Sequence, residues 1–283
     1  MTNIAIATCR EWPFPAGDDP LRREVKARGY TLYSGPWNGA QQPFHEADLV
    51  LIRGCWDYYK TPQAFLAWIA ALADRSVRIR NRPEMLRWNL DKRYLLELKE
   101  LGITIPETVV VDPKSNDTVL EEMTARGWTQ AVLKPTIGQS GHFVERLDVE
   151  RFEMWPERSI PTPQALLQEF QTDISSLGET MLVFFGGHFS HALQRKIAPG
   201  EWRSNSQYGS SRERCEVSSN IVKQAQRALS IFARPPLYAR VDGLVKDEQF
   251  VLMELELIEP ELGFREVPEA AMTFCNLLDE LLR

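Results

Sequence analysis

The chain has 283 residues, room for two modest domains or one large one at roughly 100 to 200 residues each. Hydrophobic residues make up 43% and charged residues 25%, which sets aside the disordered, collagen-like and coiled-coil classes. Lys and Arg number 33 against 39 Asp and Glu, a net charge of −6, so no nucleic-acid partner is expected; a few local cations still suffice for a phosphorylated ligand.

The first eighty residues read as alternating strand and helix, with strands at Asn3–Thr8, Thr31–Tyr33, Ala47–Ile52 and Ser76–Ile79. Helices are expected at Asp19–Arg28 and Pro62–Ala73, and this alternation predicts βαβ units on a largely parallel sheet. Pro83 opens a helix expected to run through Leu101, where Gly102 stops it. Strands follow at Thr108–Val111 and Gln130–Lys134, around a short helix at Val119–Arg126. From about residue 165 longer strands take over: Ala165–Phe170, Glu179–Phe185, His188–Lys196, Leu237–Val245 and Gln249–Ile258, with helices at Asn220–Phe232 and Pro268–Leu282. The expected units are 1–80 (α/β), 81–165 (central, with a phosphate loop) and 166–283 (α+β).

Cys9, Cys55, Cys215 and Cys275 lie far apart with no Cys-x-x-Cys pair, so neither a zinc site nor a disulfide framework is expected. The N-terminus lacks a signal-peptide pattern, and no run of about 18 apolar residues occurs. A cytoplasmic location, with no membrane partner, fits these features.

The last two strands carry the densest chemistry. Arg240 and Asp242 sit two apart, as do Glu254 and Glu256, so a hairpin brings Asp242, Glu254 and Glu256 to one surface. Met253, Leu255 and Leu257 are expected on the opposite, core face. Converging carboxylates suit a hard divalent cation such as Mg²⁺, although each alone reads equally well as a solvated strand face. Upstream, Leu133-Lys134-Pro135 ends a strand and leads into a loop with Gly138, Ser140 and Gly141, whose backbone N–H groups can approach phosphate oxygens. A simple turn would look similar. Arg53 and Asp57 follow a strand of the first sheet, where an open parallel sheet places ligand contacts; they suit the carboxylate and ammonium of an amino acid, or a surface pair beside packed Trp56, Tyr58 and Tyr59. His142, His188 and His191 read as structural, since His188 and His191 fall on opposite faces of a strand.

Together these segments resemble the ATP-grasp superfamily over about Asn81 to Phe264. The resemblance implies an ATP-grasp fold behind a Rossmann-like N-terminal α/β domain. It implies that Lys92, Lys134, Gly138, Ser140 and Gly141 hold ATP phosphates, that Glu169 and Phe170 form the adenine hinge, and that Glu179 holds the ribose. Asp242, Glu254 and Glu256 then take Mg²⁺, with Mn²⁺ as the alternative. Arg195 to Asn205 is similar to a segment of glutathione synthetase-like ligases in which an Arg and an Asn face the substrate. Arg203 and Arg240 are accordingly expected to be catalytic and Asn205 to bind substrate with Arg53 and Asp57. The run Glu254 to Pro260 and Arg53 to Tyr58 look more like the O-ureido-serine cyclo-ligases of cycloserine biosynthesis; Tyr208-Gly209-Ser210-Ser211 departs from the glutathione synthetase pattern. The implied reaction activates the carboxylate of an amino-acid-like small molecule as an acyl phosphate and transfers it to nitrogen, within one molecule or between two. A small-molecule kinase is the alternative, a non-catalytic nucleotide-binding protein a weaker one, and a homo-oligomer is expected by analogy.

Overall fold

A computed structural model of the protein describes residues 2–12, 14, 17–155 and 160–283. The first sheet is parallel, in the order β2-β1-β3-β4, and comprises β1 (Asn3–Thr8), β2 (Thr31–Pro36), β3 (Leu49–Gly54) and β4 (Ile79–Arg80). Helices α1 (Asp19–Ala27), α2 (Gln42–His45) and α3 (Pro62–Asp74) connect the strands. Alternation sorts the side chains: Ile4, Ile6, Leu49 and Leu51 pack with Leu21 and Val25 of α1, and Ala5, Ala7, Val50 and Ile52 with Phe65, Ile69 and Leu72 of α3. Every residue of β3 is buried, which is why it reads as a continuous apolar run.

The single helix expected over 83–101 is two, α4 (Pro83–Asn89) and α5 (Tyr94–Glu100). The break has a tertiary cause: the Lys92 backbone N–H donates to Thr136 O at 2.7 Å rather than to a helical carbonyl. Three buried side chains clamp this segment to the C-terminal hairpin. Asn81 Nδ2 donates to Tyr238 O (2.8 Å) and Leu257 O (2.7 Å), Asn89 Nδ2 to Leu255 O (2.7 Å), and Tyr94 Oη to Leu255 O (2.9 Å).

The middle sheet is antiparallel, in the order β5-β8-β6-β7: β5 (Thr108–Val111), β6 (Gln130–Pro135), β7 (Glu145–Asp148) and β8 (Ala165–Glu169), with α6 (Asn116–Ala125) between β5 and β6. Ser115 Oγ caps α6 by accepting from Thr118 N at 3.2 Å. Because β8 pairs with both β5 and β6, a boundary at residue 165 would cut this sheet, and the central unit extends at least to Glu169.

The third sheet, β11-β10-β9-β12-β13, is also antiparallel. After α7 (Ile174–Leu177) it contains β9 (Glu179–Phe185), β10 (His188–Lys196), β11 (Ser211–Cys215), β12 (Tyr238–Lys246) and β13 (Gln249–Glu256), with α8 (Ser219–Gln226) and the terminal α9 (Ala270–Leu282). Phe274 and Leu278 of α9 pack with Ile4 and Leu51 of the first sheet and Met181 and Val183 of the third, so those two sheets share a core. In the β12–β13 hairpin Arg240 faces Glu256 and Asp242 faces Glu254, and the register shifts between Asp242 and Gly243. That bulge places both Leu252 and Leu255 in the core and leaves Met253 on a cavity wall, correcting the uniform alternation expected of this strand.

Candidate active site

The middle and third sheets enclose a cavity of about 170 Å³ walled by β6, β8, β9, β10, β12 and β13. Part of its wall is apolar, where Phe170 and Ile174 pack with Val132, Trp202 and Met253. Glu169 and Phe170, at the end of β8, bring backbone and ring to the same wall. Lys134 points in from β6, its Nζ donating to Gln168 Oε1 at 3.1 Å, and burial pulls its ammonium down to about 8. Lys92 enters from the α4–α5 turn and is ion-paired with Glu254. Burial alone would depress the Lys92 ammonium, but Glu254 outweighs it and holds the group above its ordinary range.

Gly138, Ser140 and Gly141 close one side of this cavity. Gly141 has φ +70°, a left-handed conformation that favours glycine, and its Cα faces the Asn205 amide, to which a Cβ there would approach within 2.8 Å. The Gln207 amide donates to the Ser140 carbonyl, and the His142 ring stacks on Tyr59 with centroids 5.3 Å apart. The loop is thus held against both the β10–β11 connection and the segment after β3.

The acids expected to hold metal do share one wall, but cations occupy them. Arg240 donates to Asp242 at 2.9 Å and is ion-paired with Glu256, while Lys92 takes Glu254. Among the described residues no three His, Cys, Asp or Glu side chains stand as a ready metal site. The donor set nevertheless fits a divalent cation: Asp242, Glu254 and Glu256 crowd one wall, and burial, with Asp242 and Glu254 beside it, pushes Glu256 up to about 8 despite Arg240. Glu179 is buried, its Oε2 accepting from Arg195 Nη1 (2.6 Å) and Ser204 Oγ (2.8 Å).

A second cleft of about 730 Å³ adjoins the first. Both are lined by Ser140, His142, Arg195, Asn205, Glu256 and Glu259. Trp12, Trp56, Tyr59, Arg240 and Glu261 belong to the second alone. Arg203 lines the first cavity, gripped by Glu201 through Nε (3.0 Å) and Nη2 (2.7 Å) and stacked 3.6 Å over Tyr208.

Arg53 and Asp57 line neither cavity. Arg53 is fully buried: Nε and Nη2 grip Asp18 at 3.1 and 2.8 Å, and Nη1 donates to Pro260 O at 2.6 Å. It locks the fold rather than contacting a ligand, since no donor direction faces open space. Asp57 accepts from Trp37 Nε1 at 2.7 Å. Of the histidines, His191 is buried against Leu262 O at 3.0 Å and His188 is exposed, and neither joins a site. Sequence reasoning named Arg195 only as the start of the segment running to Asn205, and Glu259 only within the run Glu254 to Pro260, and gave neither a role of its own. Arg195 was findable as the cross-strand partner of Glu179; Glu259 lies where the alternation of β13 has ended and carried no periodic signal.

A profile of the D-cycloserine synthetase DcsG N-terminal domain matches residues 4–81. The chain is 26% identical over 292 residues to the cycloserine biosynthesis protein DcsG of Streptomyces lavendulae, covering 93% of each. The crystal structure of D-cycloserine synthetase DcsG superposes with a TM-score of 0.87 at 25% identity, over 99% of this chain and 100% of that one. The D-alanine–D-alanine ligase of Bacillus anthracis, with a TM-score of 0.67 at 13% identity, covering 100% and 97%, shares the fold. No helix among the described residues is long and apolar enough to cross a membrane. By likeness along nearly its whole length this chain is similar to D-cycloserine synthetase, and it has the fold of ATP-grasp ligases.

Proposed function

We propose that the protein activates the carboxylate of a small amino-acid-like molecule as an acyl phosphate at the expense of ATP, then transfers the acyl group to nitrogen with release of ADP and phosphate. One observation carries this reading: two cavities of different chemistry meet at a shared wall of Ser140, Arg195, Asn205, Glu256 and Glu259. The first offers an apolar slot and two lysines for a nucleotide; the second is large enough for a compact polar substrate, and the junction is where a γ-phosphate and a carboxylate can meet. A carboxylate is a poor electrophile until phosphorylation supplies a leaving group.

In this reading Phe170, Ile174 and Met253 sandwich the adenine and the backbone at Glu169 borders its edge. Lys92 and Lys134 hold the phosphates, and Arg195 and Asn205 orient the acid at the junction. Arg203 and Arg240 supply further positive charge on either side. Asp242, Glu254 and Glu256 would hold Mg²⁺ or Mn²⁺, which would neutralise charge on the transferring phosphoryl group. A cavity of about 170 Å³ is below the several hundred Å³ typical of ligand sites, so the Gly138–Gly141 loop swings out to admit ATP and returns to exclude water. Likeness to D-cycloserine synthetase along the whole chain favours a nitrogen in the same molecule, closing a ring.

The test is ADP release with Mg²⁺ and ATP across amino acids, ureido amino acids and small peptides, with products read by mass. Loss of one water from a single substrate establishes ring closure, and joining of two establishes intermolecular ligation. A stable phosphorylated product would mark a kinase and overturn the proposal.

A further inference from the structure

Five consecutive carbonyls just after β13 each meet a side chain from a different residue. Tyr238 Oη, whose shortest contact is Ile52 O at 2.5 Å, lies 3.0 Å from Ile258 O, while Trp56 Nε1 donates to Glu259 O at 3.2 Å and Arg53 Nη1 to Pro260 O at 2.6 Å. Arg240 Nη1 donates to Glu261 O at 3.1 Å, and His191 Nε2 lies 3.0 Å from Leu262 O. A backbone held at every carbonyl cannot swing, so its side chains are aimed in advance.

Glu259 is the side chain this scaffold aims into the site. It is 6% exposed and lines both cavities, yet among the described residues no hydrogen bond or ion pair reaches its carboxylate. The other charges around it are taken. Glu256 is held by Arg240 and Glu261 by Arg212. Each cation lining the second cleft is engaged by another acid: Lys60 by Glu11 at 3.6 Å, Arg195 by Glu179 at 2.6 Å, and Arg240 by Asp242 at 2.9 Å. A buried carboxylate without a partner is costly until a cation reaches it. The same cleft presents Tyr59 and the edge-to-face pair Trp12 and Trp56, at 5.9 Å, whose rings also favour positive charge.

We propose that Glu259 anchors an ammonium group of the substrate, so that the second cleft selects amino acids carrying a free amine over their deaminated or N-acylated counterparts. The proposal rests on the reading of that cleft as the acid-substrate site. It assigns the ammonium contact to Glu259 rather than to Asp57, which lines neither cavity and whose Oδ1 accepts from Trp37 Nε1.

The test needs no turnover. Binding of benzylammonium chloride and of benzyl alcohol, two probes of similar shape that differ in charge, is followed by ligand-observed NMR on the full chain. The wild type should bind the ammonium at least about tenfold tighter, as for a charge-assisted contact in a buried site. Glu259→Gln should abolish that preference while ATP affinity is retained, and Glu259→Asp should restore part of it. Equal binding of the two probes by the wild type, or an unchanged preference in a folded Glu259→Gln protein, overturns the proposal. Should Glu259→Gln not fold, the wild-type comparison decides alone. ADP release measured in parallel separates the two claims: ammonium selectivity without substrate-stimulated ADP release would fault the ligase reading and leave the anchor standing.

Discussion

Replacing Arg53 by Met should destabilise the protein strongly, because Arg53 is a lock between distant parts of the chain. Its guanidinium holds Asp18, 35 residues away, and the Pro260 carbonyl, 207 residues away, and it lies 5.5 Å from the centre of the Tyr238 ring. Asp18 is 2% exposed, and burial pushes its carboxyl up to about 6 even with Arg53 beside it. Removing one partner of such a buried pair costs about 3–5 kcal/mol. At an unfolding entropy of about 2 cal/mol/K per residue, that corresponds to a fall in Tm of roughly 5–8 °C for a chain of 283 residues. The pH dependence has a definite sign. A carboxyl whose folded pKa is raised favours the folded state at low pH and loses that contribution as pH rises through its folded pKa. Without Arg53 that pKa climbs further, so the deficit in Tm should be larger at pH 8 than at pH 5. Calorimetric unfolding at both pH values measures it, and Asp18→Asn combined with Arg53→Met should recover part of the loss. An Arg53→Met protein with unchanged Tm and a raised KM for the acid substrate alone would refute the lock and return Arg53 to the substrate site.

Three further outcomes follow from the same geometry. Lys134, held at about 8 by burial, should lose its charge above that pH in the free protein, so ATP affinity should fall as pH rises beyond 8 and binding near pH 8–9 should take up protons; calorimetry in two buffers of different ionisation heat reads this, and zero uptake would remove Lys134 from the phosphates. Glu254→Gln should raise the Mg²⁺ concentration needed for half-maximal ADP release by about tenfold, one charged ligand being lost, whereas an unchanged requirement would exclude Glu254 from the cation's shell. Burial holds the His191 imidazole down at about 4, so its neutral form supports the fold above the ordinary histidine range and that support disappears as pH falls from about 6.5 toward 4, by up to about 3 kcal/mol; denaturant midpoints against pH should flatten on the acid side in His191→Gln, and an unchanged acid limb would contradict the assignment.

Much of the architecture is written in local periodicity. Thr108–Val111, Glu179–Phe185 and His188–Lys196 were legible to the residue because each carries an apolar run or alternation between clear stops. The shared face of Asp242, Glu254 and Glu256 followed from strand geometry alone. By contrast, β7 (ERLD) and β11 (SRERC) are short, polar edge strands with no pattern to distinguish them from loops. The interruption before Tyr94 exists because Lys92 N–H finds Thr136 O, and local helix signals do not record such a partner. Arg53 followed a strand at a position where parallel sheets bind ligands, yet Asp18 and Pro260 close around it; Glu259 carried no pattern, yet it faces the site unpartnered. Backbone conformation and side-chain facing depend on neighbours a few residues away and can be read along the chain. Whether a given charge is spent inside the fold or left free for a ligand depends on partners brought together by topology from 35 or 207 residues away, and only the folded structure decides it.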